Sequence, residues 1–161
     1  MEQENNTILT SLEAFLHEYG IPTKMASESG LTVLKARLND LGRAEGEALM
    51  EICLLPLEPD ASGAGRTLIQ FYTTTAAGLD EANIAPALAA LNAVNLRCPA
   101  GAFQIYTPLR QMYHKYTAVL LDGTDRQAQA QAALMLAVET VDRLFDETVV
   151  IADDAANAPA P

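Results

Sequence analysis

The chain has 161 residues and a net charge of −11, from 21 acidic and 10 basic residues, and 50% of it is hydrophobic. This length fits one domain, which can bury about 70% of its unfolded surface without disulfides or metals. The charge argues against partners that are nucleic acids or anionic membranes, because both attract basic proteins. The acidic start lacks the basic and apolar regions of a secretory signal, so we expect a cytoplasmic protein.

The first predicted helix covers residues 7–19, where apolar side chains recur at helical spacing and form one stripe. Gly20 and Pro22 then end it, because glycine favours a helix C-terminus and proline cannot continue a helix. The unbroken stripe predicts that this helix packs on the core. Residues 1–6 are expected to be flexible.

Three predicted strands follow near residues 31–38, 47–55 and 66–75, preceded by a polar segment at 23–30 and with a hairpin loop at 58–65. Apolar and polar side chains alternate along them, which is typical of half-buried strands and assigns one face to the core. The core-facing residues are expected to be Leu34, Ala36, Leu38, Ala48, Met50, Ile52, Leu54, Ile69 and Phe71.

A short helix and two further strands come next. The helix is predicted to start near Asp80 or Asn83, and we favour Asn83 as its N-cap because Pro86 is tolerated only in the first turn. It is predicted to end at Asn95. The strands are predicted near residues 102–106 and 112–121.

A long alanine-rich helix closes the sequence, with Thr124 and Gln127 at capping-box spacing. Residues 152–161 are rich in Ala, Asn and Pro and are expected to be flexible. The sequence therefore predicts one α+β domain over residues 7–151. We expect two layers, in the order α-β-β-β-α-β-β-α, with an antiparallel sheet.

Several short segments match a known family. The first helix ends in Leu-His-Glu-Tyr-Gly at 16–20, the middle helix ends in Leu-Asn-Ala-Val-Asn at 91–95, and a hairpin from 103–106 to 116–120 follows. These segments and the order of the elements resemble the YbjN-like family, also called bacterial sensory transduction regulators. The resemblance covers residues 8–151. That fold is similar to the fold of type III secretion chaperones. The resemblance implies a cytoplasmic, often dimeric, non-enzymatic protein, whose chaperone relatives hold an extended partner segment on apolar patches.

No residue set with catalytic chemistry is recognisable. The two histidines, His17 and His114, have no Ser/Asp or Cys partner at a familiar spacing. Cys53 and Cys98 lack metal-ligand spacing, and a cytoplasmic location argues against a disulfide between them. We therefore expect that the protein is not an enzyme and has no catalytic residue, metal or cofactor.

Two asparagines near the end of the middle helix allow two interpretations. Asn92 and Asn95 could contact a partner or a second subunit. We favour a structural role, in which Asn95 ends the helix and Asn92 bonds the backbone of the following loop.

The strand alternation leaves the second sheet face without an assigned cover. Leu49, Cys53, Leu68, Tyr72 and Tyr106 are expected there, and uncovered apolar patches often mark interfaces. We expect a homodimer or a protein partner at this face. The predicted function is a non-enzymatic adaptor or chaperone-like regulator that holds a partner protein segment by apolar burial, with strand addition at a sheet edge. The alternative is a small-ligand-binding domain or small enzyme with a site between helices and sheet.

Overall fold

The computed structural model describes residues 2–57, 65–122 and 124–157, with the side chains of all but 2–5 and 56. In these ranges three α-helices pack on one face of a six-stranded antiparallel sheet, which confirms the predicted α+β class. The helices are α1 (Glu2–Glu18), α2 (Ile84–Asn95) and α3 (Arg126–Asn157). The strands are β1 (Thr23–Glu28), β2 (Leu31–Leu41), β3 (Gly46–Leu57), β4 (Arg66–Ala77), β5 (Ala102–Tyr106) and β6 (Gln111–Leu121).

The strand order in the sheet is β1-β2-β3-β4-β6-β5, and every neighbouring pair is antiparallel. The first four strands follow one another along the chain. The α2 connection then carries the chain to β5 at the far edge, and β6 returns between β5 and β4. Strands β1 and β5 are therefore the two edges of the described sheet.

The prediction of five strands is wrong by one, because the polar segment at 23–30 contains β1. Strand β1 pairs with β2 through a two-residue turn at Ser29 and Gly30, whose φ values are 51° and 81°. Positive φ at both positions suits the right-handed twist of a hairpin. As an edge strand β1 is polar, which protects its free edge from unwanted pairing. The observed order is α-β-β-β-β-α-β-β-α.

The helices extend further than the sequence predicts. Helix α1 already begins at Glu2, and α3 continues to Asn157, with Ala152 and Ala155 buried. Helical structure thus reaches into both ranges that were expected to be flexible. Residues 58–64 of the predicted hairpin loop lie outside the described residues. The same is true of residues 158–161 of the tail that was expected to be flexible.

One predicted helix cap is wrong, and the other is confirmed in position only. Asp125, and not Thr124, caps α3, because its Oδ1 accepts a hydrogen bond from the N–H of Ala128 at 3.0 Å. Asn83 occupies the N-cap position of α2, as predicted, but its side chain makes no capping hydrogen bond, and its Nδ2 donates to the carbonyl of Ala155 at 3.3 Å. Asn83 thereby ties the start of α2 to the end of α3.

The core lies between the sheet and the helices, as predicted. All nine residues that the alternation assigned to it are buried, and Leu12 of α1 is 0% exposed. Helix α3 packs close to the sheet because it buries small residues, among them Ala130, Ala133 and Ala137. The prediction that the first helix packs on the core is confirmed.

Candidate functional site

The five predicted site residues all lie on the sheet face that points away from the helices. Leu49 is 43% and Tyr106 is 49% exposed, and the other three are half-buried. They follow from the alternation, since Met50, Ile52 and Phe71 point the opposite way and are fully buried. We call this surface the outer face.

One end of the outer face carries an apolar band. Leu55, Leu68 and Val119 are direct neighbours across β3, β4 and β6, and Leu57 and Leu121 flank Arg66 in the next row. Leu31 of β2 lies on the same face. The exposed fractions are 39% for Leu31, 37% for Leu57, 48% for Val119 and 48% for Leu121. No described helix covers this band.

The sequence prediction included Leu68 from this band but missed the others. Val119 and Leu121 could have been found, because the alternation that places Tyr113 and Lys115 on one face continues to these two residues. Leu31 is the first residue of β2 and directly follows the hairpin turn that the sequence prediction missed. Its place on the outer face depends on the pairing with β1, so it could not be predicted without that strand.

The other end of the outer face is aromatic. The rings of Tyr72 and Tyr113 stack at 5.1 Å, and the Tyr113 hydroxyl donates to Gln104 Oε1 at 2.7 Å. Burial raises the pKa of Tyr113, so its hydroxyl stays a donor. A shallow depression of about 260 Å³ lies here, lined by Glu51, Tyr72, Thr74, Tyr106, Gln111 and Tyr113.

A row of charged residues separates the two ends. Lys35 Nζ lies 2.5 Å from Glu28 Oε1 and 2.7 Å from Glu51 Oε1, and these two carboxylates raise the Lys35 pKa. Lys115 Nζ lies 5.0 Å from the centre of the Tyr72 ring, in cation–π geometry. The outer face therefore combines apolar, charged and aromatic parts along the strands.

The fold also brings together His114 and Cys98, which no sequence pattern connects. His114 is fully buried, its Nε2 donates to the carbonyl of Ala100 at 2.8 Å, and Cys98 Sγ donates to the same oxygen at 3.1 Å. Sγ and Nε2 are 3.8 Å apart. Burial raises the pKa of the Cys98 thiol and lowers the pKa of His114, so both groups are neutral. A neutral thiol is a poor nucleophile, and the pair holds the loop before β5 in place.

The other histidine lies elsewhere. His17 is exposed near the end of α1, and its Nε2 is 2.6 Å from the Thr23 hydroxyl at the start of β1. Within the described ranges no three His, Cys, Asp or Glu side chains are grouped so that they could hold a metal ion. None of the helices described here combines the length and apolar character that crossing a membrane requires.

The structural interpretation of the asparagines is right for one and wrong for the other. Asn95 ends α2, and its side chain makes two hydrogen bonds with Phe103 of β5. The N–H of Phe103 donates to Oδ1 at 2.7 Å, and Nδ2 donates to the Phe103 carbonyl at 2.9 Å. Asn92 is exposed, so Asn95 makes the contact that was expected of Asn92.

Fold and site together define an α+β protein with one partly apolar sheet face that none of the described helices covers. No protein-family model matches the chain, and no curated protein matches it either.

Proposed function

We propose that this chain is a non-enzymatic adaptor or chaperone-like regulator that holds a segment of a partner protein on the apolar band. The band itself is the observation that supports this function, because its side chains are up to 48% exposed on a face without a helical cover. Contiguous apolar patches on monomers are often functional. Because less than half of each of these side chains is exposed, complete burial of one by a partner would contribute about 1 kcal/mol, roughly half of the value for a fully exposed leucine or valine.

Membership of the YbjN-like family and a cytoplasmic location are part of this proposal. The family membership is supported by the order of elements and by the three short segments named in the sequence analysis. Strand addition is a second contribution that we propose, because β1 and β5 each have one unpaired edge in the described sheet. Backbone hydrogen bonds at an edge would hold the partner, and the apolar band would select its side chains.

Capture with matched variants tests the proposal. The tagged chain and its Leu68→Glu and Val119→Glu variants are used as baits in lysate from the source cells. Leu96→Glu is the control, because Leu96 is 89% exposed just after α2 and lies away from the outer face. We expect one protein to bind wild type and the control but neither outer-face variant. Equal recovery by all four baits would contradict the proposal, and circular dichroism checks their folding.

A homodimer is the second use of the outer face that we propose. Light scattering of wild type and Leu68→Glu tests it, since a charge at the centre of an apolar seam should separate the subunits. The small-ligand or enzyme alternative has less support. It needs space between helices and sheet, where side chains such as Met50, Phe71 and Leu134 are fully buried against one another.

A further inference from the structure

The outer face differs in charge from the rest of the molecule. Within the described ranges, five basic and three acidic side chains project from it. The basic residues are Lys24, Lys35, Arg37, Arg66 and Lys115, and the acidic residues are Glu28, Glu47 and Glu51. The described part of this face thus has a formal charge of +2. Because the whole chain has −11, all its other residues together have −13.

Three of these positive charges are available to a partner. Lys35 is held by two carboxylates, and Arg37 lies 3.3 Å from Glu47. Within the described ranges, Lys24, Arg66 and Lys115 have no carboxylate at ion-pair distance. The Lys115 ammonium lies over the Tyr72 ring, which places this charge at the sheet surface.

The free charge at Lys115 has a fixed distance from the apolar band. Val119 and Lys115 are four residues apart on β6 and point to the same side. Four residues of a strand span about 13 Å. In an extended partner segment that lies along β6, one side chain would therefore contact the band and another, about four residues further on, would contact Lys115.

We propose that the partner segment is acidic, with apolar side chains over Leu68 and Val119 and a carboxylate beside Lys115. This inference rests on the proposed function and specifies its partner. A carboxylate would form a charge-assisted hydrogen bond with the ammonium, whereas a basic residue would be repelled. The helix side would repel the same segment, since α3 alone has six carboxylates against two arginines. Charge thus directs an acidic segment to the outer face.

A single-stranded nucleic acid is the other anion that lysines and tyrosines could bind. The protein segment is favoured because the apolar band has no counterpart in a phosphate backbone. Three unpaired cations also neutralise few phosphates, and phosphate neutralisation supplies most of the affinity for nucleic acid.

Three labelled peptides of equal length test the charge preference by fluorescence anisotropy with the full chain. Each has two leucines and, four residues further on, two glutamates, two glutamines or two lysines. We expect the glutamate peptide to bind at least about tenfold more tightly than the lysine peptide at low salt. This preference should disappear in about 1 M NaCl, where the Debye length is about 3 Å.

Variants locate the preference. Lys115→Glu should reverse the order of the glutamate and lysine peptides, and Lys115→Gln should abolish the difference if the first variant does not fold. Arg143→Glu, at an exposed position of α3, is the control and should keep the wild-type order.

The outcomes separate this inference from the proposed function. The acidic preference alone would be overturned if the three peptides bound equally. It would also be overturned if no peptide bound while the capture experiment yielded a partner. No peptide binding together with no captured partner would overturn both. Two results would assign the outer face to another occupant: tighter binding of a single-stranded oligonucleotide that needs Lys115, or a dimer that Leu68→Glu dissociates.

Discussion

At the scale of single residues, polar side chains connect elements that are separate in the sequence. Asn95 satisfies both backbone groups of Phe103 and so attaches α2 to the edge strand β5. His114 and Cys98 share the carbonyl of Ala100 and fix the loop between α2 and β5. Both arrangements position the part of the sheet that presents Tyr106 and Lys115 on the outer face.

Replacement of Asn95 by leucine should destabilise the protein by about 1–3 kcal/mol, because the backbone groups of buried Phe103 lose their partners. Urea unfolding measures this change in the free energy of unfolding. Asn92→Leu is the matched control, and at its exposed position it should change stability by less than about 0.5 kcal/mol. A larger loss in Asn92→Leu than in Asn95→Leu would contradict the roles assigned to the two residues.

His114 should make stability depend on pH. Its pKa in the folded protein is lowered by burial from the ordinary 6.5, so the unfolded chain takes up a proton first as the pH falls. Stability conferred by the neutral imidazole is thus complete above about pH 6.5 and is lost as the pH falls below that value. The melting temperature should fall between about pH 7.5 and pH 5.5.

Two variants test whether His114 causes this pH dependence. His114→Gln keeps a donor for the Ala100 carbonyl but cannot be protonated, so its melting temperature should depend less on pH. His17→Gln removes an exposed histidine and should behave like wild type. An unchanged pH dependence in His114→Gln would exclude His114 as its cause.

At the scale of elements, α1 and α3 hold the sheet from one side. Leu12 is 0% exposed in the α1 stripe, and Leu12→Ala should lower the free energy of unfolding by about 2–5 kcal/mol through lost burial and a cavity. Denaturant unfolding measures this change. Thr10→Ala is the control, because Thr10 is exposed and lies half a helical turn before Leu12. If deletion through Gly20 left the melting temperature unchanged, α1 would be a detachable arm.

Helix α3 also fixes the β2–β3 turn. Asp142 Oδ1 accepts from the N–H of Gly42 at 2.8 Å, and Asp146 accepts from Arg43 at 3.0 Å and from Ala44 at 3.3 Å. Successive backbone N–H groups of this kind form an anion-binding nest.

Asp146→Ala should therefore cost about 1–3 kcal/mol and speed amide exchange at Arg43 and Ala44. Hydrogen exchange followed by NMR measures both effects. The control is Glu139→Ala, at an exposed position of the same helix. Unchanged protection of the turn in Asp146→Ala would show that α3 does not stabilise it.

The sequence predicted the elements whose residues alternate or recur regularly. Strands β2, β3, β4 and β6 have a buried face, so their patterns are visible, whereas edge strand β1 is polar and only Ser29-Gly30 signalled it. The outer-face positions of Leu49, Leu68 and Tyr72 follow from the same alternation.

The contact between Cys98 and His114 could not be predicted in this way. It arises because a loop folds back over β6, and no local pattern records such a contact.

At the scale of the whole molecule, the architecture gives the protein two unlike sides. Helices occupy one face of the sheet, and the opposite face keeps an apolar band, a free ammonium and stacked tyrosines. The formal charge of −11 is therefore unevenly distributed between the two sides, and the outer face is its less acidic side. This arrangement suits a protein that acts by binding another protein.

Site-specific photo-cross-linking tests most directly whether the outer face is the partner site. A photoreactive residue replaces Val119, which is 48% exposed in the apolar band, or Val150, which is 60% exposed on α3. We predict that the chain labelled at position 119 cross-links one partner protein in its own cells and that the chain labelled at position 150 does not. Cross-linking of that partner from position 150 alone would contradict the account.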